Sequence, residues 1–593
     1  MAIVGIDLGT TNSLITAFVD GKSTLIPNSY NEFLTPSVVS LNDDGDIMVG
    51  KIAKERLINN PSLSTALFKR KMGTNTKVKI GKEGKLGQIG QKGKVGQRSF
   101  RPEELSSFIL RQLINDAESF LGETVSEAVI SVPAYFNAHQ RAATKMAGTL
   151  SGITVERLVN EPSAAALACR QDEDETFIVF DFGGGTLDVS IVEIFDNVVN
   201  ICAISGNNLL GGIDFDNAIV EAVCRENKID ISAISPQEYQ MLFRAAEKAK
   251  IELSTMDETF VSANIKRKNI NFPLSNDLMF QLSQRVLERL KKPIQSAVKD
   301  SGLHVSEISK CVLVGGSCHM PIVRKFLEGL LRVPVTDSQD VDKIVATGLG
   351  IYVGIKDRAS DVKDLVLTDI CPFSLNTSIH NAQDHSKLLV HTMIPRNTTL
   401  PTSKTESFWT IKPGQTKIGI NINQGEEMYA ADNISLGRLE AEVPLNQQDT
   451  ERIDLTFTYD INAILAVKIK VASTGIENSL VLTGGGLALS DTQVEEYISQ
   501  IQNLKLAHHE RRELLLEQAK RLFTESQDEL RKRIQELILT LEKTGESGSI
   551  RKTNEELDSI EAKLTELENK LGKSELFNET PTLHEQNNGD LDE

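Results

Sequence analysis

The residues best suited to chemistry sit in two related stretches, GIDLGTTNS (5–13) and FDFGGGTLDVS (180–190). Each runs from an apolar strand into an aspartate, then a turn of small residues with threonine, then a second strand. Glycine lets such a turn bend sharply and bring backbone N–H groups against phosphate oxygens. Asp7 and Asp181 fall at the strand ends, facing each other across a cleft. Two carboxylates there suit Mg2+, which keeps several waters and takes one or two protein oxygens. One such turn alone is an ordinary hairpin, whereas two copies, each in an α/β context, point to a phosphate site. A third stretch, VLVGGSCHMP (312–321), admits two readings. Cys318 and His319 suggest a thiol nucleophile or a metal pair, while Gly315 and Gly316 suggest close backbone approach to a ligand. The six cysteines (Cys169, Cys202, Cys224, Cys311, Cys318, Cys371) form no CxxC pair. No further close His or Cys completes a set of four ligands, which weakens the metal reading.

No Walker A loop competes: GKST at 21–24 lacks its upstream glycine, and LGKS at 571–574 falls near the acidic end. GLGIYVG (348–354) has the wrong spacing for a dinucleotide loop and reads as close helix packing.

The elements that must position these residues follow from pattern. A chain of 593 residues is too long for one core. Residues 1–360 alternate strand-like and helix-like segments, such as AVISVP (128–133) followed by NAHQRAATKMAG (137–148), the mark of an α/β region. A linker, DVKDLVLTD (361–369), leads to short alternating strands over 370–489, an all-β pattern. Residues 490–575 carry apolar residues three or four apart (Leu515, Ala519, Leu522; Leu530, Ile534, Leu537, Leu541), a helical bundle opened by Ser490 or Asp491 as N-cap. The bundle either stabilises the β region or moves as a separate lid. Residues 576–593 read as a disordered acidic tail. A Gly-x-y run, GKEGKLGQIGQKGKVGQR (81–98), has collagen's period but no proline, and reads as a surface loop or weak hairpin.

The net charge of −18 argues against a general nucleic-acid binder. MAIVGIDLGTTNS opens directly into a strand with no secretory pattern, and no apolar run approaches the roughly 20 residues of a membrane helix. Reduced, scattered cysteines fit a cytoplasmic setting.

GIDLGTTNS, SVPAYFNAHQRAATKMAG, NEPSAAALA, FDFGGGTLDVS, LLGGIDFDN, EKAKIELS and VLVGGSCHMP resemble, in order and spacing, motifs of the 70-kDa heat-shock chaperone family (DnaK-like). INQGEEMYAADNISLG and the linker look like theirs too, and the shortened helical end resembles the HscC-type bacterial branch. The resemblance implies an actin-like α/β ATPase domain, a β-sandwich peptide-binding domain and an α-helical lid. It implies ATP/ADP with Mg2+, and K+ as a further candidate ion. By motif, Thr10, Thr11, Asn12, Gly183, Gly184, Gly185 and Asp188 surround phosphates, and Asp7 and Asp181 hold the hydrated Mg2+. Lys69, Glu161, Asp181 and Thr186 form the hydrolytic set, since phosphoryl transfer needs a positioned water and neutralised charge. Gly211, Gly212, Glu247, Lys250, Ser254, Gly315, Gly316, Ser317, His319 and Asp342 take ribose, adenine and phosphate.

Two departures matter in the cleft. His319 replaces an arginine that stacks on adenine, which predicts weaker or pH-sensitive nucleotide binding. Ile213 replaces an acidic residue.

The same resemblance assigns Pro133 and Arg141 to a relay from nucleotide to domain surface, and Arg157 to docking of the linker residues Leu365, Val366 and Leu367. An apolar linker is costly when exposed, so its composition itself suggests a switch. Thr377, Phe408, Ile418, Ile420 and Ile453 match a groove for extended apolar peptide. Its departures are NAQDHSKL (381–388) inserted in the first hairpin, His380 and Ile411 at the groove arch, and a turn at Asn462-Ala463 without glycine.

The function expected is an ATP-driven chaperone for protein folding and stress response. Its clients are unfolded or partly folded polypeptides, its helper a J-domain co-chaperone, with the need for an exchange factor left open. It is expected to be a monomer in the bacterial cytoplasm. The alternatives are an actin-like small-molecule kinase, a filament-forming ATPase, and a peptide-binding scaffold with a decayed ATPase.

Overall fold

A computed structural model describes residues 1–593 apart from 82–95, 171–173, 267, 339, 381–386, 462–463, 483–490, 508–509, 545–549 and 574–593. The internal duplication of the sequence reappears as two six-stranded sheets of related plan. In the first, Ala2–Asp7 pairs antiparallel with Asn12–Val19 and parallel with Val125–Val132. In the second, Glu175–Phe182 pairs antiparallel with Leu187–Phe195 and parallel with Cys311–Val314. Asp7 thus ends the central strand of its sheet, and Asp181 lies one residue from the end of the other. The strands are runs of Ile, Val and Phe buried on both faces, as sheets covered by helices require.

The helix Ile344–Lys356 packs on the first sheet and against the helix Glu161–Cys169. Its glycines explain the closeness: a Cβ on Gly348 would lie 1.7 Å from the Ala164 carbonyl oxygen. GLGIYVG is therefore a packing motif. Helix termini follow their local signals. Asn137 caps Ala138–Ser151 by accepting from the Gln140 N–H at 3.0 Å, and Gly152 ends that helix with φ of 96°.

Beyond the linker, two four-stranded antiparallel sheets enclose one core that includes Ile422, Leu455, Phe457 and Val467. Strand Leu375–His380 pairs with Leu388–Ile394, so the NAQDHSKL insertion does sit in that hairpin, although 381–386 lie outside the described residues. So do Asn462 and Ala463 and the proposed cap Ser490; Asp491 is the first residue of its helix. The flanks of the Gly-x-y run pair antiparallel, Val78–Ile80 with Arg98–Phe100, while 82–95 lie outside the described residues, as does the expected tail.

The seat of the helical end is not readable from its pattern. Arg511–Glu525, Asp528–Lys543 and Ile550–Lys573 share a core of Leu515, Ala519, Leu522, Ile534, Leu541 and Leu564, as the periodicity predicts. Yet the bundle rests on the amino-terminal α/β half. Ile501, from the helix Asp491–Gln502, joins the core of the first sheet. The chain at 505–507 exchanges backbone hydrogen bonds with Ile47 at 2.9 and 2.8 Å. Leu514 packs with Ile52 and Met48.

Candidate functional site

Between the two sheets lies a cavity of about 360 Å3. One wall carries Asp7, Thr10, Thr11, Asn12, Lys69 and Glu161; the other carries Asp181, Gly183, Gly184, Thr186, Glu247, Lys250, Ser254, Gly315, Gly316, Ser317, His319 and Asp342. Residues far apart in sequence meet here because the duplicated hairpins face each other. The turns touch: a Cβ on Gly184 would lie 2.0 Å from Thr11 Oγ1. Gly315 has φ of +85°, a left-handed conformation that favours glycine. Gly185 adjoins Thr10. Gly211 caps the helix Gly212–Glu226, whose first N–H donates to the Gly183 carbonyl at 3.1 Å.

Lys69 is not a solvated lysine. It lies on the 3-10 turn Phe68–Lys71, is 4% exposed, and its ammonium pairs with Glu161 Oε1 at 2.8 Å. Around it stand Asp7, Asp181 and Asp188. Burial, with Glu161 nearby, pushes Asp7 up to about 6 even though Ser131 donates to it at 2.7 Å. Burial, then Glu161, raises Asp188 to about 8, although the Tyr135 N–H donates to it at 3.0 Å. Burial and three neighbouring carboxylates raise Asp181 well above its ordinary value. One oxygen each of Asp181 and Asp188 is buried without a hydrogen-bond partner.

Such crowding of carboxylates is what a divalent cation relieves. Among the described residues no group of three or more His, Cys, Asp or Glu side chains converges as a direct metal cage. Crowded carboxylates with an unpartnered oxygen on Asp181 fit a largely hydrated ion held by one or two carboxylates.

The stretch at 312–321 resolves on geometry. Cys318 is buried, its thiol donates to the Val314 carbonyl at 3.0 Å, and burial holds it well above its ordinary pKa. A neutral, enclosed thiol is no nucleophile. His319 lines the cavity half-exposed, with Nε2 3.2 Å from Asp342 Oδ2. Ile213 also lines it.

Two charged lining residues escaped the sequence reading. Lys54 approaches Glu247 across the cleft at 3.9 Å, and Asp216 pairs with Lys250 at 2.7 Å. Asp216 lies within the quoted LLGGIDFDN and was legible there; Lys54 sits in a plain amphipathic helix, Lys51–Asn59.

Behind the cleft, Pro133 ends the strand Val125–Val132, buried, and Arg141 donates to the Phe136 and Ala134 carbonyls at 3.0 and 3.1 Å and to Asn160 at 2.5 Å. The linker docks as a strand: Val366 and Leu367 pair parallel with Val198 and Val199. Leu365 precedes this strand, half-buried. Arg157 makes its contacts on the helix Ile344–Lys356. Its guanidinium bonds the Tyr352 hydroxyl and stacks on that ring at 4.9 Å. The linker's end is held by Asn160, which sequence reasoning missed.

The groove candidates are packed rather than open. Ile453 and Thr377 are 0% and 1% exposed, and Ile418 and Ile420 are buried in the same core. Phe408 is half-buried, edge-on to His391 at 5.4 Å. Ile411 and the adjacent Trp409 are 67% and 58% exposed. The packed positions are the ordinary inner face of alternating strands, which the period-2 pattern alone already allows.

A family model described as Hsp70 protein matches residues 3–587 of this chain. The chain is 39% identical over 521 residues to a chaperone protein dnaK of Cyanidioschyzon merolae, covering 84% of each. It is 37% identical over 584 residues to a chaperone protein DnaK of Methanothermobacter thermautotrophicus, covering 95% of this chain and 91% of that one. Among the described residues no helix is long and apolar enough to cross a membrane.

Proposed function

The chain belongs to the Hsp70 family, and from that membership and the cleft together we infer an ATP-dependent molecular chaperone. It binds exposed apolar segments of unfolded polypeptides, and ATP binding and hydrolysis control their release and capture. The observation that carries the reading is the gathering of Asp7, Lys69, Glu161, Asp181 and Thr186 around one cavity.

In this reading residues 1–360 are an actin-like ATPase domain, 361–369 the linker, 370–489 the peptide-binding β-sandwich and 490–575 the lid. Asp7 and Asp181 hold a hydrated Mg2+, whose charge would polarise phosphate oxygens. Lys69, held by Glu161, orients the attacking water and offsets charge developing on the phosphoryl oxygens. Glu161, beside it, steadies that ammonium; Thr186 orients the phosphate end. Gly315, Gly316, Ser317, Lys250, Glu247, Ser254 and His319 hold ribose and base. Client peptides and a J-domain co-chaperone are the partners the family suggests, with a monomer in the cytoplasm.

A small-molecule kinase is not favoured, because the family match continues through the β and helical segments, for which such an enzyme has no use. A decayed scaffold is opposed by the enclosed Lys69–Glu161 pair beside its carboxylates.

The test uses the single tryptophan, Trp409, exposed on the strand Thr402–Trp409 and outside the lining of the cleft. Its fluorescence is recorded on adding Mg-ATP, with Mg-ADP as control, alongside phosphate release. A shift with ATP but not ADP is expected; ATP turnover without any shift would remove the coupling a chaperone needs.

A further inference from the structure

Among the described residues the largest fully buried side chain is a guanidinium. Arg521, on the helix Arg511–Glu525, is 1% exposed, although it belongs to the helical end of the chain. Its Nε donates to Glu55, its Nη1 to Glu525 at 2.7 Å and its Nη2 to Glu568 at 2.7 Å. A second guanidinium shares two of those carboxylates. Arg244 lies 3.5 Å from Glu55 and 3.2 Å from Glu568. The four charges form a ring with alternating sign.

Three separate pieces of the protein contribute to it. Glu55 is on the helix Lys51–Asn59, in the lobe built on the first sheet, and Arg244 on the helix Pro236–Glu252, in the lobe built on the second. Arg521 and Glu568 come from the carboxyl-terminal bundle. The two lobe helices are also the two walls of the cleft mouth. Lys54, the neighbour of Glu55, and Glu247, one turn on from Arg244, both line the cavity and face each other at 3.9 Å. The same helices therefore present one pair of side chains inward and another outward to the bundle. The bundle is anchored further to the first wall by Arg56–Glu517 at 3.3 Å, and to the second lobe by Gln527–Asn269 at 3.2 Å.

Opening the cleft would move Arg244 away from Glu55 and leave Arg521 and Glu568 unable to satisfy both walls. Separating a buried charge from its partners is strongly unfavourable, more so than the modest worth of a surface pair. We propose that Arg521 is a positioning residue for the nucleotide. Through Glu55, Glu568 and Arg244 it holds the cleft mouth closed while the bundle is docked, so nucleotide escapes only after the bundle lifts. The inference rests on the reading of the cleft as an ATP site.

The experiment measures release of an N-methylanthraniloyl-ATP probe from the full chain in Mg2+, chased with excess ATP. Arg244→Ala and Glu568→Ala remove partly exposed members of the ring; Arg521→Ala removes the buried one, and thermal unfolding checks that each variant is folded. Each folded variant is expected to release the probe about tenfold faster, a change within what breaking a buried charge pair allows. The double variant R244A/E568A should release it no faster than the singles, because both changes open the same ring. Arg244→Lys should restore most of the slow release. Single-turnover hydrolysis of bound ATP should stay within about twofold, since no ring member touches the reacting phosphate. Release within twofold of the parent in both R244A and E568A overturns the proposal, as does strict additivity in the double variant. If the parent chain itself binds no probe, it is the ATP reading that falls.

Discussion

Asn160 and Asp369 stand 209 residues apart in sequence and meet at 2.8 Å, the amide of Asn160 donating to both carboxylate oxygens. Asp369 closes the linker and is 8% exposed; the other side of the Asn160 amide accepts from Arg141 at 2.5 Å. The next residue, Glu161, pairs with Lys69 in the cleft. Asn160 and Glu161 sit at the junction of the strand Thr154–Asn160 with the helix Glu161–Cys169, where Pro162 stiffens the first turn. A displacement of Glu161 cannot leave Asn160 in place, so the junction joins the cleft to the linker in one residue step.

Asn160→Ala should uncouple the two. It removes the amide that donates to both oxygens of the buried Asp369 carboxylate and leaves only the Ser163 hydroxyl at 3.4 Å and the Ile370 N–H at 2.9 Å, a cost of about 1–3 kcal/mol borne only while the linker is docked. ATP affinity, measured by titration calorimetry, should stay within about threefold, while the ATP-driven change in Trp409 fluorescence falls to less than about half. An undiminished Trp409 response would show that the linker reads the cleft by another route.

Lys69→Ala should separate binding from hydrolysis. The substitution removes the ammonium that Glu161 aims into the cavity and leaves four carboxylates without that charge. Hydrolysis under saturating Mg-ATP should fall about 10²- to 10³-fold, the range for losing one preorganised electrostatic group. Probe binding should persist. Retention of the parent rate would exclude Lys69 from the hydrolytic set.

Much of the site was legible because it depends on short patterns. Asp7 and Asp181 are at the ends of strands whose pairing is local, so the duplicated hairpin can be read from a dozen residues. The Asn160–Asp369 contact cannot, because nothing in NEPS or in the linker names its partner. The seat of the helical bundle was hidden for a related reason. Leu514 and Ile501 belong to ordinary apolar stripes, and a stripe shows that a helix packs without showing on what. Ile453 and Thr377 are enclosed, and the pattern alone could not say in what, because alternation in a strand gives the inward face, and an inward face serves a core and a peptide equally well.

The ligand-free protein should lose stability as pH rises. Asp7 at about 6 and Asp188 at about 8 lie above their unfolded value of 3.8, so the native state holds more protons than the unfolded state between those limits. Unfolding free energy then falls with pH over that window, from about 4 to about 8. Thermal unfolding in chelator should show a lower midpoint at pH 8 than at pH 6. Adding Mg-ATP should raise the midpoint most at pH 8, where the carboxylates are ionised and ready for a cation. A midpoint that rises steadily with pH in chelator would contradict the crowding of these carboxylates.

His319→Arg addresses the clearest departure at the base end of the cleft. His319 is half-exposed beside Asp342, at 3.2 Å, on the 3-10 turn Gly316–His319 that carries the diglycine to the cavity. Arginine at this point keeps a flat stacking surface and adds a fixed cation and a longer reach, with Asp342 available to orient the guanidinium. A cation over a ring at an exposed site strengthens binding by about two- to fivefold, so ATP affinity should rise by that factor. His319→Ala should move it the other way by losing the stacking plane. Calorimetric titration of both variants at one pH reads the sign directly. If both changes leave affinity alone, the ring does not touch the base, and the nucleotide is held by the ribose and phosphate contacts of Lys250, Glu247 and the glycine turns.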